Sequence, residues 1–188
     1  RMKLLAKTHY GLEQVLAEEL KAMGAAGVTP LNRAVAFEGT KLMLYTVNYR
    51  SRLALSVLMP VASFGISGKN DLYDGAVAVD WDRYLDPGRT FAVTAVVNSP
   101  HFAHSGYPAL VVKDAIADFF RRLQVARPSV NTRDPDLLVN VHISNERVTI
   151  SLDSTVVPLY RRGYRQGSGE APLSEVLAAG MLALTGWR

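Results

Sequence analysis

Residues 3–24, KLLAKTHY followed by GLEQVLAEELKAMG, decide the reading of the fold. The first eight form a short apolar run of strand length. In the next fourteen the apolar positions Leu12, Val15, Leu16, Leu20 and Met23 recur at the spacing of an amphipathic helix. That spacing predicts a helix over 11–24, with Glu18 and Glu19 facing outward and Gly24 as its C-terminal cap. Outward from there, 28–38 (VTPLNRAVAFE) reads as two strands around a turn at 31–33. Thr40 can cap a second helix over 40–52, with Leu42, Tyr45, Val47 and Tyr49 available for packing. Residues 53–66 (LALSVLMPVASFGI) are rich in strand formers, and Pro60 among them suggests an edge or a bulge.

The resulting order, βαββαβ, is the split-βαβ or ferredoxin-like plan. A polar break, SGKND at 67–71, then separates a second region. Residues 72–85 read as a helix plus turn, 90–98 (TFAVTAVVN) as a strand, and 99–107 (SPHFAHSGY) as a loop. Pro108 suits the first turn of a helix running to Leu123, on which Asp118 stands four residues before Arg122 as a surface ion pair. Residues 126–136 read as a loop. In 138–153 Val139, Val141 and Ile143 alternate with Asn140, His142 and Ser144, and Val148, Ile150 and Leu152 continue the alternation after a turn at Asn145 and Glu146. This is a hairpin with one buried face. The tail joins a basic, Gly-rich linker to an apolar helix over 173–185. The expected class is therefore α+β, with domains at 1–66 and 67–155 and a linker with its helix at 156–188.

Composition agrees with a globular chain: 188 residues, 48% hydrophobic and 20% charged. No apolar run reaches the length of a membrane span, and no secretory leader is visible at the N-terminus. Cysteine is absent, which removes disulfides, thiol nucleophiles and Cys-type zinc sites, and a reducing cytoplasm is the expected location. The net charge is +4, carried by local patches. No acid lies between Glu38 and Asp71, where Lys41, Arg50, Arg52 and Lys69 stand, and none between Asp118 and Asp134, where Arg121, Arg122, Arg127 and Arg133 stand. Such patches suit a polyanion, although a charge of this size is also ordinary for surface solubility.

Few residues suggest chemistry. His101 and His104 could contact a phosphate or a base, or form half of a metal pair; the plainer reading is a solvated loop. His9 fits a strand-to-helix turn and His142 a surface position. The cluster Asp71, Asp74, Asp80, Asp82 and Asp86 lacks the ordered spacing of a calcium loop. Gly167-Ser168-Gly169 does not follow a strand and has Pro172 where a dinucleotide loop needs its third glycine. No catalytic constellation and no metal set is visible. The strongest group is Tyr160-Arg161-Arg162-Gly163-Tyr164-Arg165, whose guanidiniums and aromatics can bind phosphates and stack on bases. The alternative for it is an interdomain linker whose arginines pair with carboxylates.

Several stretches resemble the bacterial large-subunit rRNA guanine-N2 methyltransferases that carry a THUMP domain before a class I methyltransferase domain. They are THYGLEQVLAEEL (8–20), DLYDGAVAVDWDRYL (71–85) followed by TFAV (90–93), VKDAIADFF (112–120), RPSVNTRDPDLLVNVHI (127–143) and, most specifically, ISLDSTVVPLYRRGYRQGSGEAPLSEVLAAGMLALTGW (150–187). Tyr160 stands where that family usually has His, and Ser174 where it often has Lys. The resemblance implies an N-terminal ferredoxin-like domain, a THUMP domain, and a linker helix leading to a methyltransferase domain that lies beyond this segment. It implies RNA, above all large-subunit rRNA, as partner; the residues that the charge and aromatic pattern offers as contacts are Lys69, His101, His104, Lys113, Arg121, Arg122, Arg127, Arg161, Arg162, Tyr164 and Arg165. It implies S-adenosylmethionine as the cofactor of the full-length protein, with no catalytic or cofactor-binding residue in this segment. Two rival readings are a ligand-sensing or dimerisation module of paired ferredoxin-like units, and the RNA-binding part of another THUMP enzyme acting on tRNA. The apolar tail helix is expected to dock on its own domains or on a neighbouring molecule, as in a tail-mediated dimer.

Overall fold

A computed structural model describes residues 1–163, 167 and 172–186. The chain divides into two compact units, 1–59 with 157–188, and 60–156.

The first unit follows the expected strand and helix order: β1 (Met2–Lys7), α1 (Glu13–Ala22), β2 (Ala26–Leu31), β3 (Ala34–Gly39), α2 (Lys41–Arg50) and the start of β4 (Ser56–Gly65). Its strands lie in the order β2-β3-β1-β4, all antiparallel. Pro60 falls just beyond Leu58, where the pairing of β4 with β1 ends, so its missing N–H costs that ladder nothing. Helix α1 buries Leu16, Ala17 and Leu20 against Leu4, Val35 and Phe37 of the sheet. It stops at a left-handed Gly24 (φ +89°), where Gly24 N–H donates to Lys21 O and Ala25 N–H to Leu20 O. Those two bonds are a Schellman ending, a conformation that glycine adopts without strain.

Two expectations for this unit need correction. The sequence offers Leu42, Tyr45, Val47 and Tyr49 together for packing, but Leu44 and Val47 are the buried pair, while Leu42, Tyr45 and Tyr49 are 73%, 58% and 83% exposed. At about 100° per residue, Leu44 and Val47 share one side and the other three form a stripe on the opposite side. Glu19 does not face outward either, its side chain being only 12% exposed. It accepts the Ser51 hydroxyl at 2.6 Å and the Arg52 N–H at 3.0 Å, tying α1 to the segment that leaves α2. Thr40 does cap α2, accepting from the Met43 N–H.

The tail belongs to this unit. Helix α5 (Glu175–Leu184) buries Val176 and rests on α1 through Gly180. A Cβ at Gly180 would stand 2.6 Å from both terminal carbons of Leu12, so glycine is what permits that approach. Leu177, Met181, Leu182 and Leu184 remain substantially exposed.

The second unit takes the rest of β4 and adds α3 (Lys69–Val77), a 3-10 turn at Trp81–Arg83, β5 (Thr90–Asn98), α4 (Gly106–Arg122), β6 (Ser129–Val130), β7 (Leu137–Ser144) and β8 (Arg147–Asp153). The strands run β4-β8-β7-β5-β6, with β5 parallel to both its neighbours and β7–β8 the expected hairpin. Val139, Val141, Ile143, Val148 and Ile150 are fully buried, with Leu72, Ala76, Val112, Ile116 and Phe120 supplied by α3 and α4. The helix-plus-turn read over 72–85 is two elements. Trp81, completely buried, donates its indole N–H to Ala76 O at 2.8 Å and folds the chain back after α3. Helix α3 begins earlier than the apolar spacing indicates, because the Asp71 carboxylate reaches back to the N–H groups of Ser67 and Gly68. The segment 126–136, expected as loop throughout, contains β6.

Candidate nucleic-acid interface

The second unit gathers basic side chains in three places, all arranged by α4. At its N-terminal end Lys69, the first residue of α3, stands with its ammonium 5.4 Å from the ring centroid of Tyr107, which is half exposed. Tyr107 in turn packs on the buried Phe102, with ring centroids 6.1 Å apart. The loop between β5 and α4 places His101 and His104 beside this group in sequence. His104 is exposed, whereas His101 is half-buried and its Nε2 is buried with no protein partner. A cation held over a solvent-facing ring offers both a phosphate contact and a stacking surface.

The second place is a cleft of about 390 Å³ beside the short edge strand β6. Lys113 from α4 and Arg127 from the chain entering β6 line it, together with Asp114, Phe91, Ser129 and Val130. Lys113 contacts Asp114 at 3.0 Å, so the two cations face one carboxylate and leave an excess of positive charge. Thr90 and Phe91 pair with Ser129 and Val130, which holds Arg127 close to the sheet. Further down the same edge Asp136 accepts the Thr90 N–H at 2.8 Å, the Thr90 hydroxyl at 2.9 Å and the Arg89 guanidinium at 3.1 Å. Those bonds, the backbone N–H first, hold the Asp136 carboxyl below its ordinary value.

The third place is the C-terminal turn of α4, which carries Arg121 and Arg122. The ion pair expected between Asp118 and Arg122 forms instead with Arg121, one residue nearer. Asp118 also accepts the Tyr73 hydroxyl at 2.8 Å, and this bond, with burial and the Asp118 charge, pushes the Tyr73 phenol up against the opposing Arg122 charge. Arg121 is thus half-neutralised by its neighbour, while Arg122 lies exposed on the side of α4 toward α3.

In the first unit the tail places Arg161 5.9 Å from the ring centroid of Tyr160. Arg162 is engaged in holding the fold. Its guanidinium donates to Tyr49 O at 2.8 Å, Ser51 O at 2.9 Å and Asn48 O at 3.1 Å. Tyr164 and Arg165 lie outside the described residues. The structure therefore brings Lys69 to Tyr107 and Lys113 to Arg127, and leaves the other candidate contacts as separate local sites. Sequence reasoning missed Tyr107, Phe102 and the exposed tyrosines of α2. An aromatic next to a lone lysine only across a fold contact has no local signature.

Among the described residues no helix is long and apolar enough to cross a membrane. No group of three or more His, Asp or Glu side chains that could hold a metal stands together among them.

Comparison with known proteins adds the family. Residues 68–153 match the THUMP domain and residues 3–58 the RlmL ferredoxin-like domain. The chain is 42% identical over 177 residues to "Putative RNA methyltransferase slr0064" of Synechocystis sp., covering 94% of this chain and 46% of that protein. It is 39% identical over 186 residues to "Ribosomal RNA large subunit methyltransferase K/L" of Syntrophotalea carbinolica, covering 99% of this chain and 26% of that protein. The solved structure of "SMU.472, a putative methyltransferase complexed with SAH" superposes with a TM-score of 0.84 at 25% identity, over 99% of this chain and 49% of that one. The chain thus spans between about a quarter and a half of the relatives it matches.

Proposed function

The chain carries the RlmL ferredoxin-like and THUMP domains that form the N-terminal part of large-subunit rRNA methyltransferases of the K/L type, and from that premise we propose that it captures structured RNA, large-subunit rRNA in particular, and positions it for S-adenosylmethionine-dependent methylation of a guanine N2. In this reading 67–155 makes the principal RNA contacts, 1–66 supports it, and 156–188 leads toward the methyltransferase domain. The protein works in the cytoplasm.

The observation that carries the reading is the meeting of Lys113 and Arg127 at the cleft beside β6. Two side chains from separate elements converge there with Asp114 as the acid among the described lining residues, an arrangement suited to successive backbone phosphates. Lys69 over Tyr107 supplies a further contact of the same kind, and Arg122 and Arg161 add exposed positive charge.

The β5-to-α4 turn, residues 99–105, holds no glycine, and a nucleoside cofactor laid across a strand-to-helix turn needs glycines there so that the backbone can approach it closely. In this reading methyl transfer belongs to the methyltransferase domain of the full-length protein, and the role of 1–188 is to bind and orient the RNA.

The test is titration of a fluorescent rRNA hairpin with the chain at several salt concentrations. Lys113→Gln with Arg127→Gln should lower affinity and flatten the slope of log K against log salt by roughly 0.7–0.9 for each phosphate no longer neutralised. Unchanged affinity and slope, with the circular dichroism spectrum intact, would remove the cleft from the interface.

A further inference from the structure

The exposed stripe of α2 is not used by the packing of the first unit. Leu42, Tyr45 and Tyr49 lie on the side of the helix opposite the buried Leu44 and Val47. Tyr45 and Tyr49 are four residues apart, one helical turn, which makes their side chains neighbours on one face. Two large rings left in water next to each other are a cost unless something covers them.

The charge around the stripe selects what covers it. Lys41 stands 5.9 Å from the ring centroid of Tyr45 at one end, and Arg50 and Arg52 stand at the other. No acidic residue occurs between Glu38 and Asp71 in sequence, and in space Glu19 lies 3.9 Å from the Arg52 guanidinium, which leaves Arg50 as the cation of this end with no ion pair among the described residues. Beyond Tyr49 opens a cleft of about 360 Å³ to which Arg50, Arg52, Tyr160 and Arg162 contribute, with Glu175 as its acid. The C-terminal end of a helix ordinarily repels anions through its unpaired carbonyls. Here Arg162 donates to the carbonyls of Asn48, Tyr49 and Ser51, so the repelling groups are already covered by a guanidinium. Aromatic faces for stacking, followed by a helix end turned favourable to anions, match a nucleic-acid strand with free bases better than an apolar protein surface.

We propose that the solvent face of α2 is a second RNA site, a stacking platform on which Tyr45 and Tyr49 each take one unpaired base while Arg50 and Arg52 hold the adjoining phosphates. The proposal rests on the RNA-capturing role above and adds to it a substrate class: a single-stranded segment flanking the structured RNA bound by the second unit. Base stacking is tolerant of sequence, so the platform selects unpaired RNA over duplex without reading bases.

The experiment uses the chain with two probes, a single-stranded RNA 12-mer containing 2-aminopurine and the blunt duplex of the same sequence. Tyr45→Ala with Tyr49→Ala should weaken single-strand binding by about tenfold or more and remove the quenching of 2-aminopurine. The salt slope should stay the same, because no cation is removed, and duplex affinity should not change. Tyr45→Phe with Tyr49→Phe should restore affinity and quenching, since the rings remain. Arg50→Gln with Arg52→Gln should instead flatten the slope by roughly 1.4. Single-strand affinity and quenching left unchanged by the alanine pair would overturn the proposal, and a simultaneous shift in self-association would assign the stripe to a protein contact. If duplex binding still depends on Lys113 and Arg127 in that case, only the platform falls. If the unsubstituted chain binds neither probe nor the rRNA hairpin, both readings fall.

Discussion

Arg162 donates to the carbonyl of Tyr49 at 2.8 Å, so an arginine of the YRRGYR run that reads as a candidate RNA contact fastens the tail to the end of α2. With the bonds to Asn48 O and Ser51 O, one guanidinium satisfies three carbonyls that the end of the helix leaves without intrahelical partners.

Arg162→Gln should therefore act on stability before it acts on binding. The loss expected for a solvent-facing cap of this type is about 1 kcal/mol. Arg162→Lys should recover only part of it, because an ammonium lacks the planar fork. Urea unfolding measures the loss, and hydrogen exchange should show faster amide exchange in α5. Equal stability of the arginine and glutamine forms would mean that the three bonds contribute nothing.

Gly180→Val should displace α5 from α1. The added Cβ would meet Leu12 at 2.6 Å, and Leu12 is itself buried and has little room to turn. Overpacking of this kind costs about 1–3 kcal/mol. Protection of α5 amides should fall while the second unit, 60–156, keeps its own. An unaffected α5 would show that the helix does not rest on Leu12.

Gly75→Ala sets two effects against each other. Alanine is the better helix former by about 1 kcal/mol. Its Cβ, however, would stand 2.3 Å from the Phe64 ring, which would have to leave its place against α3. The steric term, about 1–3 kcal/mol, should win and lower the melting temperature of the chain. A stabilised variant would rule out the close approach of α3 to Phe64.

Acid should weaken the fold through Asp136 and Glu13. Glu13 accepts the Gly11 N–H at 2.8 Å and the Arg33 N–H at 2.9 Å. Slight burial raises its carboxyl, but its own N–H, those of Arg33 and Gly11, and the Arg33 charge outweigh this and hold it below the usual value. Asp136 is lowered by Thr90 and Arg89. A carboxylate depressed in the folded state stabilises above its unfolded value, about 4, and that stabilisation is lost as pH falls through the folded value. Urea midpoints should drop below about pH 4, and Asp136→Asn with Glu13→Gln should make the drop shallower. Parallel profiles for the two proteins would contradict these roles.

Much of this protein is legible in its residues because the signals are local. The 3.6-residue spacing of α1, the Thr40 cap, Gly24 in its left-handed turn and the β7–β8 hairpin each depend on chain that is close in sequence, and each stands where the pattern puts it, although Asn140 and Ser151 on the hairpin's polar face are buried as well. The resemblance of the YRRGYR-to-LAAG run to a methyltransferase family is also contained in the string of residues. Other features needed a partner from elsewhere. Strand β6 is two residues long and exists because β5 supplies its pairing, so no periodicity announces it. Helix α2 has apolar residues on both sides, and only the sheet beneath decides that Leu44 and Val47 go in while Tyr45 and Tyr49 stay out. Glu19 reads as a surface acid until the Ser51 hydroxyl arrives beside it. Lys69 with Tyr107, and Lys113 with Arg127, become sites only when α3, α4 and β6 converge. Propensity and capping act over a few residues and can be read along the chain, whereas burial, pairing and charge proximity are properties of distance in space, which the folded chain alone sets.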